Sequence, residues 1–268
     1  MTRLEPIIVE KPWGRTDIPA DFGDFGGRRI GEIWFAHPRG DSAEILVKFL
    51  FTSERLSIQV HPDDTTARAA GYPRGKEECW LVLDAEPGAE LGVGLRAPTT
   101  PAALRSAALD GSITGMIDWR PGRTDDFIYN RAGTIHAIGG GLTIVEVQQN
   151  IDCTYRLYDY GRPRALHLDA ALAVAGLGPR PDPRDTHIDG AQTRLLVDGP
   201  AFRLLHLAGT GADTALPRET GEFTFIPLSA GCRVGTEIIA FGQAVAIDRA
   251  DGISLRPDAR ALLCWPRE

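Results

Sequence analysis

Residues 56–64 read Leu56-Ser57-Ile58-Gln59-Val60-His61-Pro62-Asp63-Asp64. Apolar and polar side chains alternate up to His61, which is the pattern of a β-strand with two different faces. Pro62 then ends the strand, because proline has no backbone N–H to donate to a sheet. The polar face carries a hydroxyl, an amide and an imidazole. Such a row can line a pocket, and it places Gln59 and His61 within reach of one metal ion.

Two later stretches supply further metal-ligand types. Residues 75–83 start with charged residues that include Glu78 and continue as a buried strand, and residues 132–138 place His136 after a glycine turn. Two neutral imidazoles and a carboxylate, from His61, Glu78 and His136, suit a divalent first-row metal, and zinc is the commonest choice. So few protein ligands leave a coordination position open for water or substrate, as a catalytic metal site requires.

Three charged residues near these stretches leave alternatives open. Glu77 rivals Glu78, because adjacent strand positions face opposite ways and only one of them can point inward. Lys76 is either a solvated loop lysine or a cation beside the metal. Arg156 lies between aromatic residues, and an arginine in such a run needs either a neighbouring aspartate or an anionic ligand.

Other polar or aromatic residues also have two readings. Trp13, in the turn at residues 11–14, is either a packing residue or a ligand contact. Lys48 interrupts the apolar strand at residues 45–51, and we expect it to point to solvent. Residues 148–150, Gln-Gln-Asn, form either a hydrogen-bonded part of the core or a sugar-binding surface.

Composition narrows the class of protein. A chain of 268 residues with 30 Gly and 19 Pro fits a strand-and-turn protein of one large or two small domains. A net charge of -7 without a basic run argues against a nucleic-acid partner. No apolar run approaches the roughly 18 residues of a membrane helix, and the first residues lack the apolar core of a signal peptide. Four scattered cysteines predict a reduced, cytoplasmic protein.

The pattern along the chain predicts mostly short strands with a few helices. Thr100 is the expected N-cap of a helix that ends at Gly111, and a second short helix is expected up to Trp119. The alternating prolines of residues 178–190 predict a linker. Residues 191–268 contain further short strands at regular spacing, typical of a small sandwich or barrel, without a cluster of metal-ligand types.

These motifs, in this order, resemble type I mannose-6-phosphate isomerases, and the short bacterial form most closely. The resemblance covers roughly residues 7 to 175, and several motifs in sequence order are far more specific than any one alone. The stretches that carry it are residues 11–14, 57–63, 75–80, 132–138, 146–150 and 155–160.

The resemblance implies a mainly β fold of two cupin-like antiparallel β-barrels, or jelly rolls, with a few short helices. Residues 1–177 are then the metal-binding catalytic domain, with a short helical insertion at about 100–119. Residues 178–190 are the linker, and residues 191–268 are a C-terminal cupin-like β domain without a metal site.

The resemblance also implies the roles of individual residues. One zinc ion per chain is expected, with His61, Glu78 and His136 as ligands and Gln59 as a fourth ligand in many members. The active-site arginine and lysine fall on Arg156 and Lys76. The residues expected to bind substrate are Ser57, which falls on a serine implicated in phosphate binding, and Trp13, Lys76 and Arg156.

The implied activity is the interconversion of mannose 6-phosphate and fructose 6-phosphate through an enediol. The partner is therefore a small sugar phosphate, and the sequence is compatible with a monomer and with a homodimer. Zinc polarises the carbonyl, and the base that moves the proton is Lys76, a glutamate or a metal-bound water. Two alternatives are an iron-dependent cupin oxygenase and a non-catalytic sugar-phosphate-binding cupin. The identity of the bound metal and oxygen uptake distinguish the oxygenase from the isomerase, and ligand binding without product indicates the binding protein.

Overall fold

The computed structural model describes residues 1–267 and consists mainly of β-strands. The first twelve strands are β1 (Thr2–Arg3), β2 (Glu5–Arg15), β3 (Ile30–Ala36), β4 (Ile45–Thr52), β5 (Ile58–Val60), β6 (Glu78–Ala85), β7 (Glu90–Leu95), β8 (Ile117–Pro121), β9 (Asp126–Asn130), β10 (His136–Ile138), β11 (Leu142–Gln149) and β12 (Tyr155–Tyr158). The later strands are β13 (Thr186–His187), β14 (Arg194–Asp198), β15 (Phe202–Ala208), β16 (Phe223–Pro227), β17 (Cys232–Val234), β18 (Glu237–Ile239), β19 (Val245–Ile247), β20 (Ile253–Leu255) and β21 (Arg260–Pro266). The α-helices of the described residues are α1 (Asp64–Ala69), α2 (Pro101–Asp110) and α3 (Leu168–Val174).

The strands form four antiparallel sheets. A seven-stranded sheet has the order β13-β9-β6-β11-β4-β3-β2, and a five-stranded sheet has the order β12-β5-β10-β7-β8. A six-stranded sheet, β1-β19-β16-β21-β15-β14, and a three-stranded sheet, β18-β17-β20, contain the later strands. This mainly β, cupin-like architecture with few short helices confirms the predicted fold class.

The centre of the seven-stranded sheet is covered on both faces. Every residue of β4 and β11 is buried. One face packs in a hydrophobic core that the first half of the chain shares with the second, and this core includes Phe49, Val147, Leu204 and Ile226. The other face packs in a second core, where Leu50 and Ile144 of this sheet meet Ile138 of the five-stranded sheet.

The predicted helix after Thr100 is confirmed, but the second helix is wrong. The Thr100 hydroxyl accepts a hydrogen bond from the Ala103 N–H at 3.2 Å, and Gly111 ends α2 with a left-handed φ of 83°. Only a 3₁₀ turn follows. Trp119 lies in β8 because it pairs across the sheet with Gly92, where the missing side chain leaves room for the indole ring.

The predicted division into two domains and a linker stays a prediction, and two strand pairings bear on its boundaries. β13, from the predicted linker, pairs with β9 in the seven-stranded sheet. β1, at the start of the chain, pairs with β19 in the six-stranded sheet. Within residues 1–267, none of the helices has the length and apolar character needed to cross a bilayer.

Candidate metal centre and active site

Three side chains from distant parts of the chain meet between the seven-stranded and five-stranded sheets. His61 follows β5, Glu78 begins β6 and His136 begins β10. One ligand atom from each lies within 4.8 Å of the others, and all three side chains are about 1% exposed. We call these residues the His–Glu–His cluster. Strand pairing explains the approach in part, because His136 lies directly opposite Gln59 in the β5–β10 register.

Backbone carbonyls orient both imidazoles. His61 Nδ1 donates to the Cys153 carbonyl at 2.9 Å, and His136 Nδ1 donates to the Thr134 carbonyl at 2.8 Å. Because a carbonyl can only accept, each ring carries its proton on Nδ1 and turns an unprotonated Nε2 inward. These Nε2 atoms lie 3.3 and 3.4 Å from the Glu78 carboxylate oxygens.

Burial sets the charge of the cluster. Burial lowers the pKa of His61 to about 3, and the nearby Lys76 charge acts in the same direction. Burial also lowers the pKa of His136. Burial acts to raise the pKa of Glu78, but the Lys76 ammonium outweighs it and holds this pKa well below its usual value. The cluster therefore offers two neutral imidazoles and one carboxylate, which is a donor set for a divalent metal.

Glu78, and not Glu77, points into the site. Asn130 Nδ2 donates to Glu78 Oε1 at 2.7 Å, whereas Oε2 is buried and receives no well-aligned hydrogen bond, although Lys76 Nζ lies 3.0 Å away. Glu77 turns the other way and accepts from the Tyr129 hydroxyl at 2.6 Å. A buried carboxylate oxygen without a hydrogen bond, beside two inward-facing imidazole nitrogens, fits a metal ion at this position.

Gln59 is close to the cluster but presents its nitrogen to it. Its Oε1 accepts from the Ser57 hydroxyl at 3.0 Å, and its Nε2 lies 3.2 Å from His136 Nε2. An amide binds a metal through its oxygen, so ligation by Gln59 requires a half-turn of its terminal amide.

A pocket opens beside the cluster, and it contains every residue that the sequence assigned to substrate. Ser57, Trp13, Lys76 and Arg156 all line it, together with Gln59. Its basic residues are Lys11, Lys48, Lys76, Arg156 and Arg164, and its acidic residues are Glu32, Glu146 and Asp152. The excess of basic over acidic side chains favours an anionic ligand.

Arg156 has no carboxylate partner in the part of the chain that the structure describes. Asp159 is occupied by Arg164, which donates to its two oxygens at 2.6 Å each. Arg156 Nε is buried and has no hydrogen-bond partner. Of the two explanations for this arginine, a neighbouring aspartate or an anionic ligand, the geometry favours the ligand.

Lys48 and Glu146 are pocket residues that the sequence reasoning missed. The expectation that Lys48 points to solvent is wrong, because β4 is covered on both faces. Lys48 Nζ lies 3.3 Å from Glu146 Oε1 and donates to Gln148 Oε1 at 2.5 Å. Gln148 Nε2 in turn donates to backbone carbonyls, so this amide belongs to a hydrogen-bonded core and not to a sugar-binding surface. One charged residue in each of two apolar strands was the signal that could have found the pair.

No protein-family model matches the chain, but comparison with individual proteins identifies named relatives. A mannose-6-phosphate isomerase from Streptococcus mutans is 30% identical, over 85% of this chain and 84% of the relative. A mannose-6-phosphate isomerase from Bacillus subtilis is 32% identical, over 74% of this chain and 76% of the relative.

Solved structures share the fold over nearly the whole chain. The crystal structure of the mannose 6-phosphate isomerase from Bacillus subtilis matches with a TM-score of 0.80 and 24% identity, covering 98% of each chain. The apo form of the mannose 6-phosphate isomerase from Salmonella typhimurium matches with a TM-score of 0.72 and 13% identity, covering 100% of this chain and 99% of that one.

Replacing His136 tests the cluster as a metal site. His136→Ala should lower the affinity for a divalent metal at least about 100-fold. Loss of a residue that only hydrogen-bonds to a metal ligand already lowers metal affinity about 10–100-fold, and loss of a ligand should cost more. Equilibrium dialysis with elemental analysis measures the change. His187→Ala removes an imidazole that is 63% exposed and should leave metal binding unchanged. Equal metal content in the wild type and His136→Ala would exclude His136 as a ligand.

Proposed function

The chain belongs to the mannose-6-phosphate isomerase family, and from this premise we propose that it interconverts mannose 6-phosphate and fructose 6-phosphate. The observation that carries the proposal is the buried His–Glu–His cluster beside a pocket rich in basic residues. Zinc is the proposed ion, held by His61, Glu78 and His136. Gln59 is the proposed fourth ligand, after rotation of its amide.

The bound ion supplies a Lewis acid that polarises the sugar carbonyl. The residues around it hold the open-chain sugar in place. Arg156 is half-buried, its buried Nε has no hydrogen-bond partner among residues 1–267, and its planar set of donors suits a sugar oxygen or a phosphate. Ser57 contributes a buried hydroxyl at the wall of the pocket, and Trp13, which packs with Leu50 and Leu56 in a hydrophobic cluster, supports this wall. Together they can fix the carbonyl end of the sugar next to the cluster.

Isomerisation moves one proton from C2 to C1, and the C2–H electron pair becomes the double bond of an enediol. A second proton passes from the oxygen on C2 to the oxygen on C1. Lys76 lines the pocket, with its ammonium 3.0 Å from Glu78, and is proposed to donate hydrogen bonds to the oxygens between which this second proton moves. Burial acts to lower the pKa of Lys76, but the carboxylates of Glu78 and Glu146 outweigh it and raise this pKa above its usual value.

Glu146 is the proposed base for the carbon-bound proton. Its carboxylate faces the pocket and is about 6% exposed, and Lys48 Nζ, 3.3 Å from Oε1, supports its negative charge. Trp80 Nε1 donates to Oε2 at 3.1 Å and fixes the orientation of the group. Glu32 is a weaker candidate, because it lies with the more exposed Lys11 and its Oε2 accepts from Trp34 at 2.5 Å.

The two alternative activities fit the pocket less well. An oxygenase for an apolar substrate needs an apolar lining, whereas this pocket contains five basic and three acidic side chains. A binding protein without activity needs no buried carboxylate such as Glu146 beside the metal ligands.

An activity assay tests the proposed function. Zinc-loaded protein incubated with mannose 6-phosphate should form fructose 6-phosphate, chelation should abolish the reaction, and added zinc should restore it. Zinc in buffer alone is the control. Substrate binding without product would instead support the binding protein, and oxygen uptake by an iron-loaded sample would support the oxygenase.

Arg156→Ala should retain bound zinc and lower kcat/KM for mannose 6-phosphate about 100-fold, because a charge-assisted hydrogen bond contributes about 1.5–3 kcal/mol. Steady-state kinetics and elemental analysis on the same preparation measure both effects. Arg105→Ala, which removes an exposed arginine paired with Asp169, is the matched control. Parallel loss of zinc and activity in Arg156→Ala would assign this arginine a structural role.

Glu146→Gln should lower kcat by about 10²–10⁴-fold with zinc retained, because the amide keeps the shape of the side chain but cannot accept the proton. Exchange of the C2 hydrogen of mannose 6-phosphate with deuterated solvent should slow to the same extent. Glu10→Gln, at an exposed residue paired with Arg28, is the control. Normal exchange in Glu146→Gln would mean that another group takes the proton.

A further inference from the structure

The lysines of this chain have an unusual distribution. Only three of its 29 basic residues are lysines, at positions 11, 48 and 76, and all three line the pocket beside the His–Glu–His cluster. Each lies near one glutamate, with N–O distances of 3.6 Å for Lys11, 3.3 Å for Lys48 and 3.0 Å for Lys76. The side chains of Lys48 and Lys76 are 5% exposed, whereas that of Lys11 is 27% exposed. Lys11 therefore marks the open side of the pocket.

An irregularity of β2 brings Lys11 to the pocket. Glu10 and Arg15 both lie opposite Ile30 of β3, so residues 11–14 are an insertion relative to the neighbouring strand. Such bulges change the direction of side chains and occur beside active sites. Here the insertion places both Lys11 and Trp13 in the pocket wall.

Gly31 gives the stem of Lys11 its position. A Cβ atom at residue 31 would lie 2.5 Å from both Cβ and Cγ of Lys11. A glycine inside a strand allows this close approach, at the cost of a residue that weakens the strand. The aliphatic part of Lys11 thus lies directly on β3, which directs its ammonium group.

The Lys11 ammonium has unused donors among the described residues. Glu32 Oε2 is 3.6 Å away, which is too long for a hydrogen bond, and that oxygen already accepts from Trp34 Nε1 at 2.5 Å. Three of the other pocket cations are placed against protein acceptors: Lys48 donates to Gln148, Arg164 donates to Asp159, and Lys76 Nζ lies 3.2 Å from His61 Nε2. A positioned ammonium with three available donors is a binding group for an anion.

We propose that Lys11 binds the phosphate group of the substrate and thereby makes the pocket selective for phosphorylated sugars. The cluster lies at the deeply buried side of the site, and Lys11 lies at the exposed side. A sugar whose carbonyl end reaches the cluster extends its phosphorylated end toward solvent. The identity of the sugar rests on the proposed function, whereas the binding of a phosphate by Lys11 does not.

Phosphate binding to zinc-loaded protein tests the proposal without requiring turnover. Lys11→Met keeps the apolar stem on Gly31 and removes the charge, and it should weaken binding of inorganic phosphate in titration calorimetry about tenfold. In kinetics it should raise KM for mannose 6-phosphate by a similar factor and change kcat less than about twofold. Lys11→Arg restores the charge and should recover most of the affinity. Arg28→Ala removes an exposed side chain paired with Glu10 and should behave as wild type.

The outcomes of these experiments separate phosphate binding by Lys11 from the proposed isomerase activity. Unchanged phosphate affinity in Lys11→Met, or a loss of kcat at constant KM, would overturn the role of Lys11. Equal weakening in Lys11→Met and Lys11→Arg would also overturn it, because the effect would then come from packing and not from charge. If the wild type binds phosphate through Lys11 but does not isomerise mannose 6-phosphate, the proposed isomerase function fails and the role of Lys11 in phosphate binding stands.

Discussion

A buried negative charge is the constraint on which the rest of the site depends. Glu78 is about 1% exposed, and an ionised carboxylate in such a place costs several kcal/mol unless other groups compensate it. The compensation comes from the Lys76 ammonium, just before the same strand, and from Asn130 at the end of β9, which donates to Glu78 Oε1. The neutral imidazoles of His61, directly after β5, and His136, at the start of β10, complete the donor set from the five-stranded side. The packing of the two sheets around Glu78 and the formation of the metal site therefore depend on the same residues.

The site changes in character from its buried end to its open side. At the buried end, imidazoles and a carboxylate face one another within 4.8 Å, and backbone carbonyls fix the two rings. Next come Lys48 and Glu146, which are buried but paired. Lys11, at 27% exposure, is the most exposed of the three lysines. An arrangement of this kind suits a small polar molecule with a reactive carbonyl at one end and a charged group at the other.

Part of the fold and of the site could be predicted from the sequence, for physical reasons. The alternation at residues 56–61 carries a strand signal, and the Thr100 cap carries a helix signal, because both depend on near neighbours in the chain. Lys48 and Gln148 are 100 positions apart, so their hydrogen bond depends on strand order, which no local pattern encodes. The insertion in β2 could not be predicted either, because it is defined by the pairing of both Glu10 and Arg15 with Ile30 of β3. The orientation of the Gln59 amide depends on Ser57 and His136 together.

X-ray absorption at the metal edge of the purified protein tests most directly whether His61, Glu78 and His136 hold one divalent ion. We expect one ion per chain, with a nitrogen and oxygen shell at about 2.0–2.2 Å and the scattering pattern of two imidazoles. A sulfur shell at about 2.3 Å, or a shell without imidazole scattering, would contradict it.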